Sequence, residues 1–256
     1  MRKWLTAAII VLGSLTTALG VAHADDDDRL TVVELFTSQG CSSCPPADAA
    51  LKSMRDRPGV LTLSWPVDYW DRLGWEDTFA HPHNAMRQAA YNKRLGRGGV
   101  FTPQMIVDGR VQCVGSKPEK VRAAINKARE INHMWLTPEL VPAGDTLSVM
   151  LPAGAFKGTA SIRVVWYLAD AEVEIGDGEN AGRRLHYTNV VRASDVIDMD
   201  WNGSARSLSL NLEDGRTAGA DHVAILIHDE YGHGPIIGAA SMALPEMVTD
   251  AARSNQ

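Results

Sequence analysis

The sequence is short of cysteine and of aromatic residues: 256 residues carry three cysteines, and Phe, Trp and Tyr make up 6%. There is no second Cys-x-x-Cys and no Cys/His pair at finger spacing, so the four ligands of a structural zinc site are not on offer. A basic stripe with interleaved aromatics is also missing, and the formal net charge is −6. Nucleic acid is therefore not an expected partner. Hydrophobic residues make up 45%, enough for two modest cores.

A long apolar run stands at 5–21, preceded by Arg2 and Lys3 and closed by Ala22-His23-Ala24. A basic start, an apolar stretch and a small-x-small ending read as an export signal over 1–24, cleaved after Ala24. The competing reading is an uncleaved anchor, because the run approaches the ~18 residues that span a bilayer. Cleavage removes Arg2 and Lys3 and leaves 23 basic against 31 acidic residues, about −8. The acidic run Asp25 to Asp28 then reads as a solvated leader. Export places the protein in the periplasm or outside the cell, with no membrane span after cleavage, and in an oxidising compartment.

The chemistry concentrates in Thr31-Val32-Val33-Glu34-Leu35-Phe36-Thr37-Ser38-Gln39-Gly40-Cys41-Ser42-Ser43-Cys44-Pro45-Pro46. The order reads as strand, tight loop and helix start, with Cys41 at the helix N-terminus and Cys44 about one turn in. Unpaired N–H groups and the helix dipole favour a thiolate at Cys41, which would attack a partner disulfide. Cys44, expected to be less exposed, would resolve the mixed disulfide. A static structural disulfide is the bland alternative, although a two-residue loop gains little from cross-linking. Cys113, in the strand-like Val111-Gln112-Cys113-Val114, is expected to be a small buried hydrophobe.

Downstream, 59–65 reads as a second strand, completing a strand–helix–strand unit of the parallel, right-handed kind. Trp65, Trp70 and Trp75 recur every five residues and could either wall the groove beside the cysteines or pack in the core. A helix is expected over 84–95, closed by Gly96, with His81 and His83 ahead of it as cap or surface residues. Val107-Asp108-Gly109-Arg110 is a hairpin signal, because Asp-Gly supplies the positive-φ turn between two apolar strands. Pro103 sits just before the first of these strands, and 117–131 follows as an amphipathic helix.

Over about 30–133 this order, with Cys41-Ser42-Ser43-Cys44 at a helix start and Thr102-Pro103 leading into an Asp-Gly hairpin, resembles the thioredoxin superfamily. The resemblance implies that Pro103 is a cis-proline beside the cysteines and that the Thr102 backbone faces Cys41 and pairs with an extended partner. It also implies that Glu34 is a buried acid near Cys44, able to accept its proton, though a solvent-facing glutamate fits the residues as well. No Trp precedes Cys41, a departure from the usual pattern. Val33 to Asp48, together with Thr102-Pro103-Gln104, Gly178-Glu179-Asn180 and Thr188-Asn189-Val190-Val191-Arg192, is similar to a family of exported bacterial thioredoxin-fold proteins of unknown function.

From 135 the chain changes character. Short apolar or alternating runs at 147–151, 160–168, 185–191, 207–212, 223–228 and 236–243 alternate with Gly, Pro, Asp and Asn. This spacing predicts an antiparallel sandwich. The fold class expected is thus α/β, a thioredoxin-like domain over 25–134 followed by a mainly antiparallel β-sandwich domain over 135–256. The segment 177–184 reads as a solvated polar turn, the alternative being a loop that reaches the cysteines. His228-Asp229-Glu230-Tyr231-Gly232-His233 reads as a strand connection rather than a ligand cluster.

The function expected is an exported thiol–disulfide oxidoreductase acting on protein or small-molecule thiols and disulfides. Its site would be Cys41, Cys44, Thr102, Pro103 and Glu34, with no organic cofactor. Two alternatives stand beside it: a copper chaperone using the cysteine pair with His81, His83 or His228, and a non-catalytic binding module whose disulfide is structural.

Overall fold

The computed structural model describes residues 29–131, 135–156, 158–230 and 232–246. The export signal over 1–24 and the acidic run that follows lie outside the described residues. The chain is mixed α/β, with one large, mainly antiparallel sheet and few helices.

The β-branched and apolar run Thr31–Thr37 forms β1, buried along its whole length. A turn leads into α1 (Pro45–Lys52), and β2 (Val60–Pro66) returns parallel to β1. Helix α2 (Pro82–Arg94) starts with Pro82 in its first turn, the His81 side chain capping it by accepting from the His83 N–H. Strands β3 (Gln104–Val107) and β4 (Val111–Val114) form the expected hairpin, and its turn residues Asp108 and Gly109 have φ of 48° and 61°. The Asp108 carboxylate accepts from the Val32 N–H at 2.7 Å, which ties the hairpin turn to β1. Helix α3 (Pro118–Glu130) follows, then β5 (Glu139–Ala143), β6 (Thr146–Leu151), β7 (Ala160–Glu174) and β8 (Arg184–Trp201). The chain ends with β9 (Arg206–Asn211), the short α4 (Leu212–Thr217), β10 (His222–Asp229) and β11 (Ile236–Ala243).

One eight-stranded sheet runs in the order β11-β10-β7-β8-β2-β1-β3-β4, and β5-β6-β9 form a separate three-stranded sheet. The boundary expected near 134 does not interrupt the large sheet, because β8 joins β2 in parallel through Ser64 and Val190. The antiparallel strands after 135 therefore extend the sheet of the first half instead of closing a sandwich by themselves. The physical reason is the uninterrupted burial of β2, whose residues 61–66 are covered and leave no solvated edge. The face carrying Ile162, Val164 and Trp166 is covered in sandwich fashion by Leu147, Val149 and Leu151 of β6.

Strand β1 divides its side chains by the two-residue period. Val33 and Leu35 pack with Ala47 and Leu51 of α1 and Val121 of α3. Val32 and Phe36 point to the other face, toward Trp65 and Tyr91 of α2. Each such buried aliphatic side chain contributes roughly 1.5–3 kcal/mol, so β1 is held from both sides where it delivers the chain to the cysteine loop.

Candidate functional site

Cys41 and Cys44 form a disulfide with their Cα atoms 5.5 Å apart. Two sequence expectations change here. Helix α1 begins at Pro45 with Cys44 as its N-cap, so Cys41 lies a turn ahead of the helix and not in it. Pro45 and Pro46 have no N–H to return to the Cys41 and Ser42 carbonyls, so the helix cannot extend back to the first cysteine. Cys44 closes the turn instead, its N–H donating to the Cys41 carbonyl at 3.1 Å. Nor is Cys41 the exposed member of the pair: both cysteines have 0% exposure, while Ser42 and Ser43 between them are exposed.

Ser43 Oγ stands 3.3 Å from Cys41 Sγ, and three stretches of chain hold the backbone around Cys41. The loop ahead of it is fastened by Gln39, whose N–H donates to Asp77 Oδ2 at 2.8 Å and whose Oε1 accepts from Trp75 Nε1 at 2.8 Å. Trp70 stands against Gly40 and donates from Nε1 to Thr102 Oγ1 at 2.8 Å. The third stretch is the turn between β7 and β8. Asn180, fully buried, donates from Nδ2 to the Gln39 carbonyl at 2.8 Å and to the Cys41 carbonyl at 3.0 Å. Glu179 accepts from the Ser42 N–H at 3.0 Å. The segment 177–184 is therefore no free solvated turn, as the sequence suggested. Contacts separated by about 140 residues leave no local trace in a polar turn, although Gly178-Glu179-Asn180 is visible as a motif.

The tryptophans divide. Trp65 is a core residue stacked near Phe36 with the Arg87 guanidinium 4.7 Å from its ring, whereas Trp70 and Trp75 wall the cysteine loop.

The Thr102–Pro103 peptide is cis. Because Phe36 pairs with Gln104 across β1 and β3, Pro103 lies beside Thr37, at the end of β1 from which the cysteine loop emerges. Thr102, Pro103 and the two cysteines thus gather at one end of the sheet. Glu34 does not join them. It shares the face of Val32 and Phe36, where Oε1 accepts from Arg87 Nε at 2.8 Å and Oε2 from the Tyr91 hydroxyl at 2.6 Å. Arg87 also contacts His228 Nε2 at 3.3 Å, and burial with the neighbouring Arg87 and Arg163 holds the His228 imidazole well below its usual range.

The carboxyl groups that do accompany the disulfide are Asp48 and Asp77, which sequence reasoning missed. Asp48 lies one turn beyond Cys44 in α1, its N–H donating to the Cys44 carbonyl at 3.1 Å. Its Oδ1 is buried, and Thr37 Oγ1 is the side-chain group beside it, acting to lower the carboxyl. Burial, with Asp77 adding in the same direction, pushes the Asp48 carboxyl up to about 8. Burial likewise pushes Asp77 up to about 6. An alanine-rich helix start gives no sign that its one aspartate faces inward.

Cys113 is apart from all this, half-buried in a cleft of about 370 Å³ with Phe101, Lys120 and Lys127. His81 and His83 lie with their rings tilted and 4.6 Å apart, and His228 belongs to the Arg87 network. Among the described residues no group of three His, Cys, Asp or Glu side chains is arranged to hold a metal ion, and no helix is long and apolar enough to cross a membrane.

A mixed α/β chain with a buried Cys-x-x-Cys disulfide at the mouth of its large sheet is the class that these features define. The chain belongs to the family described as a protein of unknown function (DUF1223), whose profile matches residues 32–228. It is similar to the crystal structure of a protein from Agrobacterium tumefaciens, with 31% identity, a TM-score of 0.74, and 85% of this chain and 96% of that one covered. HBP35 of Porphyromonas gingivalis matches at a TM-score of 0.58 over 84% of this chain and 75% of that one, and at 17% identity the likeness is of fold alone. No curated protein matches the chain.

Proposed function

We propose that the chain is an exported thiol–disulfide oxidoreductase, with a thioredoxin-like arrangement over about 30–133, that exchanges the Cys41–Cys44 disulfide with exported protein or small-molecule thiols. The observation that carries this reading is the placement of the disulfide between β1 and α1, at the sheet end where Thr102 and the cis Pro103 also lie. A partner thiolate attacks Cys41 Sγ, the S–S bond breaks, and Cys44 leaves as a thiolate. Asp48, protonated at neutral pH, stands one turn away and supplies the proton to Cys44. A second partner thiolate then attacks the first partner's sulfur in the mixed disulfide, breaking its bond to Cys41. Cys41 is released as a thiolate, and two thiols have become one disulfide. Thr102 and Pro103 contact the partner, and no organic cofactor enters. Glu34 keeps a structural place in this reading.

A second reading, a binding module with a static disulfide, is favoured by the complete burial of both cysteines. The reduction potential of the pair decides between them. Equilibrating the exported form against glutathione and trapping free thiols is expected to give about −120 to −270 mV, the range of exchangeable oxidoreductase disulfides. A value well below about −300 mV would leave a bond that stays closed in that compartment and would establish the binding module instead.

A further inference from the structure

An incoming thiolate needs a clear path to Cys41 Sγ, yet Cys41 has 0% exposure. The segment 175–183, held at its base by the buried Ile175, closes on the Cys41 backbone, while Ser43 Oγ stands 3.3 Å from Cys41 Sγ. The segment lies beyond the last ladder pair of β7 and β8, Glu174 with Arg184, and closes on itself through Gly182 N–H to the Ile175 carbonyl at 2.8 Å. Its attachments to the cysteine loop are few and identifiable. The Asn180 amide clasps the Gln39 and Cys41 carbonyls, and the Glu179 carboxylate accepts from the Ser42 N–H. Trp75 packs on its Gly176 and Gly178, where an added Cβ would come within 2.9 and 3.2 Å of the indole side chain. Glu179 is exposed and holds its charge against the exposed Ser42, the residue next to Cys41. Asp177 beside it and Asp71 and Glu76 on the facing loop have the same sign. The cations at this rim are Arg72, which donates to the Tyr69 carbonyl, and Arg183, which donates to Asn180 Oδ1 at 2.7 Å; both keep their charge, and the four carboxylates outnumber them.

We infer that the 175–183 turn is a gate over the Cys41–Cys44 disulfide. Asn180 is its latch, and Glu179 is a selectivity residue that admits cationic and neutral thiols and repels anionic ones. The inference rests on the exchange reading above and names the class of partner: thiols set among positive or neutral groups, such as a cysteine flanked by Lys or Arg in an extended peptide. Glu179 acts on the approach of the partner and takes no part in the transfer. The electrons still come from two partner thiolates, and the proton at Cys44 still comes from Asp48.

The test uses the full oxidised exported chain and three small thiols, cysteamine, 2-mercaptoethanol and mercaptoethanesulfonate, with rates of opening of the Cys41–Cys44 bond expressed per thiolate. The native protein is expected to favour cysteamine over mercaptoethanesulfonate. Glu179→Gln should lower that ratio by about threefold to tenfold at low ionic strength, an effect that fades in high salt. Asn180→Ala should raise all three rates together by about tenfold, one lost pair of hydrogen bonds favouring the open turn. Glu179 is exposed, so its substitution tests the idea even if the Asn180 variant folds poorly. Measurable rates with a ratio unchanged in Glu179→Gln would overturn the gate and leave the exchange reading standing. A bond that no thiol opens, in the native chain or in Asn180→Ala, would overturn both.

Discussion

Asp48 follows Cys44 by one helical turn, and its N–H donates to the Cys44 carbonyl at 3.1 Å. The carboxyl therefore travels with the disulfide on a rigid element. Burial raises it from 3.8 to about 8. Between these values the folded chain keeps a proton that the unfolded chain has lost, so stability falls as pH rises from about 4 to 8. Each tenfold gain in proton affinity on folding is worth ~1.4 kcal/mol, so the loss across this window amounts to a few kcal/mol. Asp77, raised to about 6, adds to the lower part of that window. Urea titrations from pH 4 to 9 should show the slope, and Asp48→Asn should abolish its upper part and make the protein more stable than the native chain at pH 8. Equal pH profiles for the two proteins would show that Asp48 is not held protonated.

Glu34 is the counter-charge of Arg87, with the two groups 2.8 Å apart and both buried. Removing one member of a buried pair strands the other, at a cost of about 3–5 kcal/mol. Glu34→Gln should therefore destabilise by that amount in urea, while the combined replacement of Glu34 and Arg87 by apolar residues recovers much of it. The reduction potential of Cys41–Cys44 should not move, since Glu34 faces away from α1. A shift in potential without loss of stability would return Glu34 to the cysteine chemistry.

The elements legible in the sequence are those set by local pattern. The Asp108-Gly109 turn, the amphipathic α3 and the strands β6, β9, β10 and β11 can be placed within a few residues, because their periodicity and turn chemistry are written locally, whereas β7 and β8 run on to Glu174 and Trp201, well past their expected ends at 168 and 191. The cysteine pair and Thr102-Pro103 are also visible as motifs. Three things depend on long-range contacts and are not. Val190 meets Ser64 and continues the sheet across the expected boundary, Asn180 meets Cys41, and Glu34 meets Arg87. In each case the deciding partner lies tens of residues or more away, and a buried polar side chain looks like an exposed one until its partner is known.

Cys113 should behave as an inert thiol in the native protein. Burial pushes it up to about 11, with only Lys120 acting in the opposite direction. At pH 8 its thiolate fraction is then about a hundredfold below that of an unhindered cysteine. Iodoacetamide added to the oxidised native chain, followed by mass spectrometry of the peptide containing Cys113, should show labelling slower by that order, and denaturation should restore it. Fast native labelling would mark Cys113 as a second reactive centre.

Gly115 closes β4 directly beneath the start of α1. Its N–H donates to the Pro103 carbonyl at 3.0 Å, and a Cβ there would stand 3.1 Å from the Ala47 Cβ, 3.1 Å from Leu35 and 3.2 Å from Met105. These neighbours are buried on β1, β3 and α1, so none has free space to retreat into. Gly115→Ala forces α1 outward or compresses the sheet, and overpacking of this kind costs about 1–3 kcal/mol. Ala47 lies three residues after Cys44, so the displacement reaches the disulfide as well. The variant should lose stability and also open its Cys41–Cys44 bond at a changed rate. Gly98→Ala, where no atom lies within 4 Å of the added Cβ, is the control and should stay within about 0.5 kcal/mol of the native chain. If Gly115→Ala loses stability while its thiol-exchange rate matches the control, α1 yields without carrying the cysteines with it, and the coupling between hairpin and disulfide is refuted.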